Sequence, residues 1–122
     1  MATVDVKGAD FDASIGTEGI ALVDFWAAWC GPCRMFAPIF EEASAKHADI
    51  KFLKVDTDAE QELSGAAQIT SIPTLMAFRD GILVFRQPGA LPAPQLEQLI
   101  EAVRGLDMDA VRKEIAENPQ NG

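Results

Sequence analysis

Residues 20–26 read IALVDFW, and this run limits the possible folds more than any other stretch of the chain. A strand with one solvated face alternates apolar and polar side chains, whereas a nearly continuous apolar run fits a central strand covered on both faces. Such a strand needs neighbours in a sheet and helices on each side of it. The remaining sequence offers both. TVDV (3–6), KFLKVDTD (51–58), TLMAF (74–78) and ILVF (82–85) read as strands, the last two flanking Asp80-Gly81, a tight-hairpin pair. ADFDASI (9–15), the stretch from Gly31 to Lys46, and AEQELSGAA (59–67) read as helices, and Pro38 is expected to kink the second. Leu96, Leu99, Ile100 and Val103 recur at helical spacing, with Gly105 placed to end that helix. Asp107 can cap one more short helix, with Met108, Val111 and Ile115 along one side, and the closing NPQNG is expected to fray. The order β-α-β-α-β-α-β-β-α plus one helix predicts a single mixed α/β sheet with helices on both faces.

Size and charge narrow the function classes. A chain of 122 residues fits one domain and buries roughly two-thirds of its unfolded surface, enough for a core without cross-links. The formal net charge of -9 would be repelled by phosphate backbones, so nucleic acid is not an expected partner. Apolar stretches break too soon to span a bilayer, so no membrane association is expected either. MATVDVKGADFDAS at the start shows neither a basic nor an apolar region of the export type, and the cytoplasm is the expected compartment. Thiols there are held reduced, and a disulfide is more often transient than structural.

The only two cysteines, Cys30 and Cys33, lie in WCGPC (29–33). A structural zinc site usually needs four Cys or His ligands, and His47 is the single histidine. A disulfide staple gains stability with the length of the loop it closes, and this loop is close to the shortest available. A reversible redox couple suits the spacing better. Cys30 falls where the apolar strand gives way to a helix, so its sulfur is expected near free helix N–H groups and the positive dipole end, which favour thiolate. Cys33 lies one turn further in. The spacing therefore predicts an accessible, nucleophilic Cys30 and a resolving Cys33, with Gly31 and Pro32 shaping the turn. Asp24 is the lone charge in the apolar strand. It is either bonded to backbone or exposed at an edge, or it is a buried acid with a raised pKa that can take the proton of Cys33.

The whole string VDFWAAWCGPCRMFAP (23–38) resembles the active-site segment of the thioredoxin family, together with SIPT (71–74), FRDG (78–81) and GAL (89–91). The resemblance covers about residues 3 to 104. It implies the thioredoxin fold, a central mixed five-stranded sheet flanked by helices, over residues 1–105. Residues 106–122 depart from the family by running beyond that fold. They read as a C-terminal helical extension and frayed tail, expected to pack on the domain as a cap, with a dimer contact or a specificity element as the alternative. The resemblance implies a cis Ile72-Pro73 peptide facing the cysteines, and a shallow apolar substrate face of Trp29, Ile72, Pro73 and Gly89. Trp29 could also be ordinary packing; Trp26, inside the strand, is expected to be core.

By the same resemblance the activity is protein-disulfide reduction by a monomer acting on disulfide-containing proteins. No cofactor is bound. The redox group is the Cys30–Cys33 disulfide, re-reduced by a thioredoxin reductase that draws on NADPH. An oxidase or isomerase of the same fold, and a binding module with thiol-switched affinity, are the rival readings. One departure concerns the lysine that many bacterial members carry near the buried acid: the matching position is Phe52, flanked by Lys51 and Lys54. His47 and the acidic run DTDAEQE (56–62) are expected to be solvated.

Overall fold

A computed structural model describes residues 2–118. Its strands are β1 (Thr3–Asp5), β2 (Ile20–Trp26), β3 (Lys51–Asp56), β4 (Thr74–Arg79) and β5 (Ile82–Pro88). They form one sheet in the order β1-β3-β2-β4-β5. β1 and β2 run parallel to β3, and β4 runs antiparallel to both β2 and β5. The helices are α1 (Phe11–Ile15), preceded by a 3-10 turn at Gly8–Asp10, then α2 (Gly31–Lys46), α3 (Gln61–Ala66), α4 (Ala93–Arg104) and α5 (Met108–Glu117).

The central position of β2 follows from its composition. Ile20 and Leu22 face Phe36, Phe40 and Ala43 of α2 and Leu96 and Ile100 of α4. Ala21, Val23 and Phe25 face the other way, into a cluster completed by Ile15, Leu53, Val55 and Met76, with Phe11 and Leu63 packed against it. The Phe40 ring packs tilted against Phe36 with centres 5.6 Å apart and meets Phe52 edge-on at 5.1 Å. Asp24, two residues after Leu22, shares the face of α2 and α4 by strand alternation.

Local chemistry sets several boundaries. Asp80 and Gly81 have φ of 53° and 82°, the left-handed pair that a two-residue hairpin of matching twist demands. β3 ends at Asp56, two residues before the end of the predicted strand, because the Asp56 carboxylate accepts the N–H groups of Asp58 and Ala59 and turns the chain. α4 does stop at Gly105, but with φ of -84° rather than a left-handed residue. Its last two carbonyls, those of Val103 and Arg104, and the Leu106 carbonyl just beyond it all accept from Arg79, whose Nη1 lies 2.8–3.0 Å away.

Asp107 caps α5 by accepting the N–H of Ala110, Met108 is buried, and Arg112 reaches Asp80 at 3.4 Å. The extra helix is therefore docked, though an open groove of about 550 Å³ remains between Val111 and Ile115 on it and Ile82–Val84 of β5. The predicted fraying concerns NPQNG (118–122). Asn118 instead ends α5, donating its backbone N–H to the Glu114 carbonyl at 2.9 Å, and residues 119–122 lie outside the described residues.

His47 corrects an expectation. It is not a solvated side chain: its Nε2 lies 2.7 Å from Glu97 and its Nδ1 3.0 Å from Arg104. An arginine can only donate, so Nδ1 accepts and Nε2–H donates to the carboxylate. The ring joins the end of α2 to α4.

Candidate active site

β2 delivers the chain through Ala27, Ala28 and Trp29 to the first turn of α2, and the cysteines sit at that junction. Cys30 is the residue before the helix, with extended φ and ψ of -87° and 115°. Its Sγ accepts the backbone N–H of Cys33 at 3.2 Å, satisfying one of the donors that a helix start leaves open. Cys30 and Cys33 are joined as a disulfide, with Cα atoms 5.2 Å apart. Gly31 and Pro32 fill the first two helical positions, where a missing proline N–H costs nothing.

Accessibility does not separate the two sulfurs as expected. Cys30 is 5 % exposed and Cys33 3 %. Their asymmetry lies in hydrogen bonding, since among the described residues only Cys30 receives a helix N–H.

The loop before β4 closes over the couple. The Ile72-Pro73 peptide is cis, and the Ile72 carbonyl oxygen lies 3.6 Å from Cys30 Sγ, within reach of a thiol proton once the disulfide opens. Gly89, at φ of 102°, donates its N–H to the Pro73 carbonyl at 2.7 Å. Of the four residues expected on the substrate face, Trp29 and Ile72 line one open pocket and Gly89 is bonded to Pro73, with unequal exposure: Trp29 is 68 % exposed, Gly89 exposed, Ile72 half-buried and Pro73 buried. Trp26, expected in the core, is half-buried and packs beside the cysteines with Ile72.

Asp24 is only 1 % exposed, and neither carboxylate oxygen has a hydrogen-bond partner among the described residues. It is neither at an edge nor bonded to backbone. Burial pushes its pKa from 3.8 up to about 7, against a smaller lowering by the Lys54 ammonium. The lysine that seemed displaced is thus present. Pairing sets Lys54 directly across from Asp24 in the β2–β3 register, while Phe52 pairs with Leu22 and belongs to the core. Lys54 Nζ also lies 5.0 Å from the centre of the Trp26 ring.

Two contacts at the site escaped the sequence reading. Asp58 accepts the indole N–H of Trp29 at 3.0 Å, and Arg34 Nη1 donates to the Ala28 carbonyl at 2.8 Å. Both span tertiary or cross-turn distances that carry no local pattern; Asp58 stood only as part of an acidic run.

The thioredoxin family model matches residues 2–102. The chain belongs to the thioredoxin family. It is 48 % identical over 116 residues to a Streptomyces coelicolor protein called "Putative thioredoxin 2", covering 95 % of this chain and 87 % of that one. It is 42 % identical to thioredoxin of Bacillus subtilis (strain 168) over 101 residues, 82 % of this chain and 96 % of the relative. Thioredoxin of Staphylococcus aureus (strain N315) is 43 % identical over 104 residues, 83 % and 97 % of the two chains.

As a thioredoxin, this chain is a protein-disulfide oxidoreductase working by dithiol–disulfide exchange, and the joined Cys30–Cys33 pair is its redox group. The family uses these sulfurs in place of a bound cofactor. A thioredoxin reductase and disulfide-bearing proteins are the partners that membership implies. No helix among the described residues is long and apolar enough to cross a membrane.

Proposed function

We propose that Cys30 is the attacking sulfur of a protein-disulfide reductase, Cys33 the resolving one and Asp24 the proton acceptor. The carrying observation is the one-sided hydrogen bond from the Cys33 N–H to Cys30 Sγ, which favours negative charge on sulfur 30. Thiolate 30 attacks one sulfur of a substrate disulfide. A new S–S bond forms, the old one breaks, and the departing sulfur leaves with the electron pair and gains a proton. Cys33 then gives its proton to Asp24, whose pKa of about 7 suits exchange near neutrality. Thiolate 33 displaces the second substrate sulfur from Cys30 and closes the intramolecular disulfide. A reductase fed by NADPH returns both electrons.

Trp29, Ile72 and Gly89, with Pro73 shaping the floor, form the docking face for the substrate polypeptide in this reading. Gly31 and Pro32 fix the turn. We infer that residues 1–105 are the redox domain and that the segment from residue 106 is a cap upon it. A reducing compartment such as the cytoplasm fits a dithiol that has to be returned to its reduced form in each cycle.

The test is trapping. Replacing Cys33 with serine removes the resolving sulfur, so substrate proteins should accumulate as mixed disulfides on Cys30. Adducts that form instead on Cys33 when Cys30 is replaced would reverse the assignment.

A further inference from the structure

The exposed face beside the cysteines holds a second oxidisable sulfur with no part in the exchange. Met35 is 70 % exposed, whereas Met76 and Met108 are 4 % and 7 % exposed. Helical spacing sets Met35 three residues after Pro32 and four after Gly31, on the same side of α2 as the turn between the cysteines. The next residue, Phe36, is 1 % exposed, so the helix turns its core face away and leaves the thioether in water. With Trp29, also exposed at 68 %, it brackets the redox turn with apolar surface. Methionine at such a place is an adaptable contact, flexible and able to lie against aromatic side chains of a partner.

We propose that Met35 is a site of oxidation by hydrogen peroxide and that its sulfoxide weakens docking of the disulfide-bearing polypeptide. The proposal rests on the reading that the face around Cys30 receives that polypeptide. The thioether sulfur attacks one oxygen of hydrogen peroxide: an S–O bond forms, the O–O bond breaks, and the other oxygen takes up the proton of the attacked hydroxyl and leaves as water. Sulfur gives up two electrons and the peroxide accepts them. The product is a polar side chain where an apolar one stood, while both cysteine sulfurs are untouched. In the disulfide form, where neither cysteine is a thiolate, peroxide would in this way reduce the affinity of the carrier for its substrates without a competing reaction at the couple.

Two measurements test this on the full chain. The disulfide form, whose cysteines are protected, is treated with hydrogen peroxide and mapped by peptide mass spectrometry. Met35 should gain its oxygen before Met76 or Met108; simultaneous or later oxidation overturns the proposal. The sulfoxide form is then assayed on a disulfide protein with reductase and NADPH. KM should rise by roughly two- to tenfold, the loss of one thioether contact, with kcat preserved, and the KM of Met35→Leu should not respond to the same treatment. An unchanged KM in the sulfoxide form, or an equal rise in Met35→Leu, refutes it. Turnover by the untreated protein checks the underlying reductase reading separately.

Discussion

At the scale of single residues, Asp24 carries the sharpest consequence. Its carboxyl titrates at about 7 in the fold against an ordinary 3.8, so between those pH values the folded state holds a proton that the unfolded chain has released. The folded state then binds more protons, and stability falls as pH rises through this window. The contribution is fully present below about pH 4 and lost above pH 7; the separation corresponds to about 4 kcal/mol. Removing the acid should reverse that loss. We predict that Asp24→Ala is more stable than the parent at pH 9 by roughly 2–4 kcal/mol, less a cavity cost, with the advantage shrinking toward pH 5. Denaturant melts of both proteins at pH 5, 7 and 9 decide it; curves that stay parallel would show that burial does not govern this carboxyl. The same variant should release bound substrate more slowly, read as a longer-lived mixed disulfide in stopped-flow quenching. Asp24 was legible because a charge in an apolar strand stands out against its neighbours. Its partner Lys54 was not, since strand register depends on which residues pair across space and a count along the chain pointed to Phe52.

At the scale of elements, α2 and the α4–α5 junction show two ways of fixing a helix. Phe40, fully buried between Phe36 and Phe52, ties α2 to the sheet by packing. Phe40→Ala should lower the unfolding free energy by about 3–5 kcal/mol, and a denaturant midpoint close to that of the parent would mean the core closes around the gap. Arg79 works differently, through one guanidinium nitrogen set among three backbone carbonyls. Arg79→Met keeps the stem and removes those donors, with an expected loss of about 1.5–3 kcal/mol. Hydrogen exchange should quicken selectively from residue 103 to 111, and uniform quickening would argue for a global effect instead. Periodicity located every one of these elements, because apolar spacing is a local property that burial enforces. The ends were less legible. Asp56 cuts β3 short through its own side chain, and Arg79, a strand residue, does the capping for which Gly105 looked sufficient. His47 gave no sign of its lock on Glu97 and Arg104 for the same reason: its partners are fifty and fifty-seven residues away.

At the scale of the whole molecule, the redox couple lies at one end of a fold whose cohesion is elsewhere. Two apolar clusters, one on each face of the sheet, contain the large side chains, while the cysteines belong to a small third cluster with Ala27. The disulfide spans a sequence separation of 3, and chain-entropy arguments assign so short a loop only about 2 kcal/mol. A carrier that opens this bond in each cycle must keep its shape when the bond is gone, and the distribution of buried surface lets it do so. The reduced protein is therefore expected to unfold in one cooperative step, with a free energy about 2 kcal/mol below that of the disulfide form. The comparison belongs near pH 5 with a phosphine reductant, where Asp24 keeps its proton in the folded state and its titration does not blur the difference. A double Cys30→Ser, Cys33→Ser variant should melt like the reduced protein. Loss of the cooperative transition on reduction would mean that the short loop, rather than the two clusters, holds the sheet and helices together, and the pair would then be a staple instead of a carrier.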